Sequence, residues 1–449
     1  MDYDLVIVGG GSGGVAMARR AAMYGAKVAL CEEDRYGGTC VHRGCVPKKL
    51  LVYGAHFAEE FASARGYGWT VPEPSFDWPT LVAAKDRELD RLNNWYNKML
   101  EENGIERVRG KARFVDRNTV AVGDRQVRGK TLVIAVGGWP FIPDIPGREH
   151  VITSNEAFHL ERLPKRIVIV GSGYIGVEFA GIFRNLGSEV TLTFRSERVL
   201  PKFDEDIRQT LTEELEKKGI RILAGAKVQE IRPGLVFVTD RGEVECDTVM
   251  YATGRNPNTR GLGLEELGVK LARNGAVIVD DDLRTSVDNI YALGDCIDKV
   301  ALTSVAIAEG RGLAETLFNS NPTHVSYENI PTAVFSQPPV GTVGLSEGEA
   351  RERHPGQVAI YRTRFRPMKH ALTGKDEKVL LKLVVHKETD KVLGCHMVGP
   401  DSPEIMQALG VALTCGATKQ QFDRTIALHP STAEEFVLMR EPVKEATPA

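Results

Sequence analysis

The sequence predicts an α/β protein: two parallel-sheet units of one design, followed by a C-terminal α+β domain. Three observations predict it. The plan of DLVIVGGGSGGVAMARRAAMYGAKVALCE is strand, glycine turn, helix, strand. That plan recurs at RIVIVGSGYIGVEFAGIFRNLGSEVTLTFR, again with glycines spaced G-x-G-x-x-G. From about residue 328, runs such as IPTAVFSQPPVGTVGLS and KVLLKLVVHKETDKVLGCHMVG are rich in strand formers broken by turns, and helical patterns follow.

In the first copy, Gly9 permits the tight turn, Gly11 lets a pyrophosphate approach the backbone, and Gly14 lets helix and strand pack closely. Glu32 ends the second strand, where an acid accepts hydrogen bonds from a ribose 2′-OH. The second copy has Gly171, Gly173 and Gly176, but Phe194-Arg195 at the corresponding strand end. A carboxylate repels a 2′-phosphate, whereas a guanidinium binds one bidentately. The first site therefore suits an adenine dinucleotide with a free ribose, such as FAD or NAD, and the second leans to NADPH. Arg198 and Lys202 are further cations nearby. A third strand, in SVDNIYALGDC, is read as ending at Gly294-Asp295. That places Asp295 at the carboxyl end of a strand, and a helix begins at Thr303-Ser304.

The chain has 449 residues, too many for one core, and an ordinary composition of 42% hydrophobic and 26% charged residues. A net charge of −3 gives no electrostatic case for nucleic acid or an anionic membrane. Apolar runs are strand-sized, so no membrane span is expected, and no targeting segment precedes the first strand. The expected compartment is the cytoplasm, where the seven cysteines stay reduced unless a pair is redox-active.

GGTCVHRGCVPKK carries such a candidate pair, Cys40 and Cys45. On a regular helix, positions five apart lie about 140° around the axis. A bridge between them requires an irregular helix start, for which Gly44 offers freedom and Pro47 suits a first turn. Two unrelated buried thiols are the bland alternative. Zinc lacks ligands, since His42 stands alone between the two cysteines. Lys48 and Glu178 are isolated charges among small or apolar neighbours, either a buried pair or two surface charges. In IALHPSTAEEF, Pro430 keeps His429 out of a helix interior, and a carboxylate nearby is able to hold its tautomer. Taken alone, His429 reads as a surface histidine before a helix capped by Ser431, with Glu434 completing a capping box.

These motifs resemble the glutathione reductase family of pyridine nucleotide–disulfide oxidoreductases. The resemblance runs through the glycine turn at 9–14, GGTCVHRGCVPKK, GSGYIGVEFAG, ATGRNPN, NIYALGDC, IPTAVFSQPPVGTVGL and HPSTAEE, and so spans the chain. It implies two Rossmann-like dinucleotide-binding domains, for FAD and NAD(P), plus a C-terminal dimerisation domain. The expected division is 1–140 and 258–327 for the FAD-binding part, 141–257 for NADPH, and 328–449 for dimerisation. One FAD per subunit and NADPH as co-substrate follow, with the active site shared between the subunits of a homodimer.

Position by position, the resemblance makes Cys40 the thiol that attacks the disulfide substrate and Cys45 the thiolate facing the flavin. Lys48 and Glu178 pair beside the flavin, and Tyr174 covers the nicotinamide pocket. Ser12, Glu32, Thr39, Asp295 and Thr303 join the glycines around FAD, while Arg195, Arg198 and Arg255 serve the nicotinamide side. His429 protonates the leaving thiolate and Glu434 orients it. Arg19, Tyr96, Arg311 and Glu435 match substrate contacts, and a cationic site suits anionic glutathione disulfide. No metal is implied. Where trypanothione reductases carry an acid and a Trp, this chain has Ala16 and Arg19. It ends in EPVKEATPA, without a C-terminal cysteine pair.

Four positions depart from the pattern: Gly176 for a usual Ala, Pro201 for a phosphate-binding Arg, Val136 for Thr, and Ser304 for Pro. The first two bear on the nicotinamide, leaving Arg195 as the residue that tilts it to NADPH. The rival readings are a reductase of a modified glutathione or one using NADH, and a flavin-binding redox sensor without turnover. The remaining cysteines, Cys31, Cys246, Cys296, Cys395 and Cys415, form no motif and read as small buried hydrophobes.

Overall fold

In the computed structural model, residues 2–234 and 236–444 are described, so the last five residues of the C-terminal tail lie outside. Strand Tyr3–Val8 forms the centre of the first sheet, flanked in parallel by Val28–Glu32 and by the end of Arg125–Ile134. Glu106–Arg109 extends one side and Ile290–Ala292 pairs with Arg125–Ile134 on the other. The order, central strand first and growth in both directions, is that of a doubly wound sheet. The long strand Arg125–Ile134 also runs out into an antiparallel meander with Thr119–Val122 and Ala112–Asp116. Leu5, Val6, Ile7, Leu132, Val133 and Ile134 are fully buried, as continuous apolar strands in a covered parallel sheet must be.

The second unit repeats the parallel arrangement with strands Arg221–Ala224, Glu189–Phe194, Arg166–Val170 and Thr248–Tyr251 in that order. A three-stranded antiparallel sheet over 228–245 covers one face. The antiparallel pair Gly138–Pro140 and Arg255–Pro257 links the two units. A five-stranded antiparallel sheet follows, ordered Thr332–Val334, Val340–Gly344, Val392–Val398, Val379–His386, Val358–Phe365. Helix Ser402–Thr414 packs on it, with Gly341 set against the helix.

The helix Cys45–Ala64 ties these parts together. Its buried Leu51 and Ala55, four residues apart on one face, join a core that contains Phe179 and Phe183 of the second unit. The same core includes Val334, Val340, Leu380 and Val398 of the C-terminal sheet. A helix that starts at a cysteine of the first unit is thus cemented into the other two. The sequence-derived third strand ends at Ala292, two residues early, and Gly294–Ile297 forms a short 3-10 turn before helix Thr303–Phe318. Among the described residues, no helix is long and apolar enough to cross a membrane.

Candidate active site

Both glycine turns are explained by what a side chain would meet. At Gly9 (φ +112) an added Cβ would lie 2.2 Å from the Ala135 carbonyl oxygen, and at Gly14 it would lie 2.0 Å from the carbonyl oxygen of Gly9. At Gly11 it would meet nothing within 4 Å. Two positions are therefore closed by packing, and the one between them presents bare backbone to a cavity of about 1290 Å³. A helix N-terminus over open space, at the carboxyl end of a parallel strand, fits a pyrophosphate. The second turn repeats the pattern: Gly171 (φ +134) lies against Ala252, Gly176 would come within 2.3 Å of the Gly171 carbonyl oxygen, and Gly173 is open. The departure at Gly176 thus has a packing reason in this chain, the same as at Gly14.

The Glu32 carboxylate accepts from the backbone of Gly10 at 2.7 Å and of Asp34 at 2.8 Å. Burial raises its pKa against those two bonds. The carboxylate is thereby fixed at the strand end, in the cavity wall.

Gly38 packs so closely on the first turn that a Cβ there would lie 2.6 Å from the Cα of Gly11. This seats the short helix Gly38–His42, with Thr39 and Cys40, against the cradle. The chain then breaks at Arg43-Gly44 before the helix Cys45–Ala64 begins. A Cβ on Gly44 would stand 2.8 Å from the Thr39 carbonyl oxygen, so only glycine allows the fold-back. The break brings Cys45 onto Cys40, and their free thiols are in hydrogen-bond contact. The irregularity that the five-residue spacing required is therefore present.

The two thiols have opposite electrostatics. Cys45 is held down to about 6, first by the hydrogen bond from Cys40, then by the Thr303 hydroxyl and the Lys48 charge, against burial. Its sulfur lies 3.6 Å from Thr303 Oγ1 and opens a helix, where the dipole also favours a thiolate. Cys40, which donates to Cys45 and is itself half-buried, is pushed well up.

Lys48, one turn into the same helix, donates to Glu178 Oε1 at 2.7 Å. Glu178 lies on helix Tyr174–Asn185, which follows the second glycine turn. It is almost wholly buried, and burial raises its pKa against Lys48 and a bond from the Phe335 backbone at 2.8 Å. This pair joins the cysteine helix to the second unit. Tyr174, the first residue of that helix, is exposed in the cavity wall. Asp295, Thr303 and Arg255 line the same cavity, and Arg255 donates to the Gly138 carbonyl oxygen. Burial raises the pKa of Asp295, against the charge of Arg255.

Other candidates lie outside the cavity. Tyr96 feels the charges of both Arg19 and Cys40, and the buried Arg19 Nε has no hydrogen-bond partner among the described residues. Arg311 is exposed on the helix that packs against Ser12–Met23. His429 is exposed, with Nδ1 3.1 and 3.2 Å from the Glu434 carboxylate oxygens. A carboxylate accepts, so Nδ1 carries hydrogen and Nε2 is left outward. Ser431 and Glu434 make the expected reciprocal bonds, both at 3.2 Å, but they close a turn: the helix itself is the short Glu435–Leu438. Glu435 begins it. At the second strand end Arg195 is exposed, while Arg198 is ion-paired with Glu205.

Phe335 escaped the sequence reading, and Lys49 entered it only as a residue of the GCVPKK motif. The Phe335 ring lies 4.0 Å from Lys48 Nζ and 3.7 Å from Lys49 Nζ, and all three residues line the cavity. Nothing in PTAVFSQPP marks that phenylalanine, because its partners are nearly 300 residues earlier.

The family profile described as "Pyridine nucleotide-disulphide oxidoreductase" matches residues 3–310, and the one for the dimerisation domain of such proteins matches 330–440. The chain belongs to the pyridine nucleotide–disulphide oxidoreductase family. It is 49% identical to a glutathione reductase of Nostoc sp., over 98% of this chain and 99% of that one. A glutathione reductase of Burkholderia cepacia is 47% identical, over 98% of each chain. An HOCl-induced flavoprotein disulfide reductase of Escherichia coli superimposes with a TM-score of 0.87 at 28% identity, covering 97% of this chain and 99% of that one. As a member of the family this protein is an oxidoreductase, and its antiparallel C-terminal sheet lies within the dimerisation match.

Proposed function

We propose that this protein reduces glutathione disulfide to two glutathiones with NADPH, through FAD and the Cys40–Cys45 pair. The observation that carries the reading is the meeting of the two thiols at the Arg43-Gly44 break, in the wall of the cavity under the first glycine turn. Glu32, Gly9, Gly11, Ser12, Thr39, Asp295 and Thr303 would hold FAD. Once bound, it would supply the two-electron relay between nicotinamide and disulfide. Gly171, Gly173, Gly176, Arg195 and Arg255 would serve NADPH.

From the dithiol, Cys40 passes its proton to His429 Nε2 as its sulfur attacks one sulfur of glutathione disulfide and forms a mixed disulfide. The departing glutathione thiolate takes a proton from His429 Nε2, with Glu434 holding Nδ1–H. Cys45, held as a thiolate, then attacks Cys40 sulfur, closes the Cys40–Cys45 bond and releases the second glutathione. Arg19, whose Nε lacks a partner among the described residues, supplies a cation for a substrate carboxylate, with Tyr96, Arg311 and Glu435 as further contacts. Within one chain His429 stands outside the cavity, which favours its service in the partner subunit of a homodimer. The reaction suits the reducing conditions of a cytoplasm.

The engagement of Arg198 by Glu205, together with Pro201, favours a second reading for the nicotinamide alone, NADH in place of NADPH. Anaerobic titration with NADPH and with NADH, followed by glutathione disulfide while the flavin spectrum is recorded, tests both. Bleaching by NADPH that glutathione disulfide reverses is the expected result. Bleaching without reversal removes the proposed substrate.

A further inference from the structure

The loop that carries Arg195 and Arg198 is anchored at its far end from another part of the molecule. Asp204, fully buried, ends the loop and starts helix Glu205–Lys217. One of its oxygens accepts from the Asp206 backbone at 3.1 Å, capping that helix, and from Lys382 Nζ at 2.8 Å. The other accepts from the backbone of Glu347 at 2.9 Å, the first residue of helix Glu347–Arg353. A single carboxylate therefore caps a helix in the second unit and takes the first N–H of another, capped by Ser346, beside the C-terminal sheet.

Lys382 lies mid-strand in Val379–His386 with its side chain 1% exposed. Its three N–H groups meet three carboxylates: Asp204, Asp206 at 2.6 Å and Glu347 at 2.7 Å. Arg362 also pairs with Asp206, and Arg351 with Glu347 at 2.8 Å, so three cations balance three anions. Such a cluster is rigid, because removing one member strands buried charge.

Between Asp204 and Asp206, Glu205 turns the opposite way. It pairs with Arg198 and with Arg208, whose Nε donates to the Val199 carbonyl oxygen at 3.2 Å. The loop's near end is laced to the second glycine turn: Leu200 N donates to the Ser172 carbonyl oxygen at 2.7 Å, and the Ser196 hydroxyl lies 3.2 Å from that of Ser172. The acidic turn Asp204–Asp206 thus holds the C-terminal strand with one side and the cationic loop with the other.

We propose that Lys382 is a positioning residue for the 2′-phosphate of the pyridine nucleotide, acting through the Asp204–Glu205–Asp206 turn on the loop that carries Arg195 and Arg198. This rests on the NADPH reading above. Lys382 touches no substrate. It fixes where the loop's guanidiniums stand relative to the Gly171–Gly176 cradle, and a nucleotide without the 2′-phosphate does not sense that placement.

The test compares Lys382→Met with wild-type holoenzyme, by titrating 2′,5′-ADP and 5′-AMP as binding probes and by measuring KM for NADPH and NADH. The expected result is a roughly tenfold weakening for 2′,5′-ADP and NADPH, with 5′-AMP, NADH and the disulfide KM unchanged. Equal weakening of phosphorylated and unphosphorylated nucleotides overturns the proposal, as does a fall in Tm with no change in either. Should Lys382→Met fail to fold, Glu347→Gln at the half-exposed edge of the cluster gives the same contrast in smaller measure, and an unchanged contrast there overturns the proposal. A wild-type enzyme without preference for 2′,5′-ADP sinks the NADPH reading and this one together. A clear wild-type preference that Lys382→Met leaves intact sinks this one alone.

Discussion

At Gly9–Gly14 an added Cβ strikes the neighbouring strand at the first position and the turn's own carbonyl at the last, and meets open space at the middle one. At Gly171–Gly176 the same three positions give the same pattern. The two turns differ in what surrounds them. The first is backed by the helix that carries Cys40, ends its second strand in Glu32, and has Arg19 on its own helix. The second ends its strand before Arg195, carries Tyr174 and Glu178, and is laced to a loop anchored by Lys382. The cradle is therefore a generic device, and the chemistry of each unit comes from groups attached to its rim.

The largest expected effect breaks the comparison at the rim of the first turn. Cys40→Ser should lower disulfide turnover by roughly 10³-fold or more, since no other group supplies the attacking sulfur. Nicotinamide-dependent bleaching of the flavin should survive, because the second turn is untouched. Stopped-flow measurement of both half-reactions checks this, and loss of both would mean the two units are not separable in function. His429→Gln should lower the disulfide half-reaction by roughly 10²–10⁴-fold. Equal slowing of bleaching would argue against its acid role.

The next effect sharpens the difference at the strand ends. Arg195→Ala should raise KM for NADPH by roughly 10–100-fold, the range for one hydrogen bond to a charged group, and leave KM for NADH unchanged. A parallel shift in both would leave Glu32 and Arg195 without the contrast assigned to them. Smaller still is the effect on the cradles themselves. Gly14→Ala and Gly176→Ala should each cost about 1–3 kcal/mol of stability, as overpacking against backbone does. Gly11→Ala and Gly173→Ala should leave Tm nearly unchanged while weakening flavin and nicotinamide respectively. Thermal unfolding of the apoprotein separates the two classes.

Local constraints are what the sequence made legible. A glycine turn between strand and helix is demanded within six residues, so both copies could be read. The break at Arg43-Gly44 followed from the angle between positions five apart on a helix. Lys48 and Glu178 stood out because charges amid small and apolar neighbours need a partner, although only the fold brings them to 2.7 Å. What remained hidden depends on long-range assembly. Lys382 sits in KVLLKLVVH as one more lysine on a strand, and its three carboxylates come from two distant segments. Phe335 had no mark for the same reason. The Ser431–Glu434 signature was read correctly as reciprocal hydrogen bonding, but the same bonds close a turn when the chain does not continue as helix.

The smallest effect concerns Cys45, and its sign follows from the rim of the first turn. The thiol is lowered from its ordinary 9.0 to about 6 in the reduced protein, chiefly by the hydrogen bond from Cys40. A depressed acid stabilises the fold most where it is ionised in the native state and protonated in the unfolded one. Its contribution is complete above about pH 9 and is lost as pH falls through about 6. The long-wavelength absorption of the two-electron-reduced enzyme, which needs the thiolate, should therefore fade with a midpoint near 6 on acidification. Removing Thr303's hydroxyl by Thr303→Val should move that midpoint upward, because a hydroxyl bonds the thiolate more strongly than the thiol. Thr303 stands on the helix after the third strand of the first unit, so an unmoved midpoint would mean that Cys40 and the helix start at Cys45 suffice to hold the thiolate.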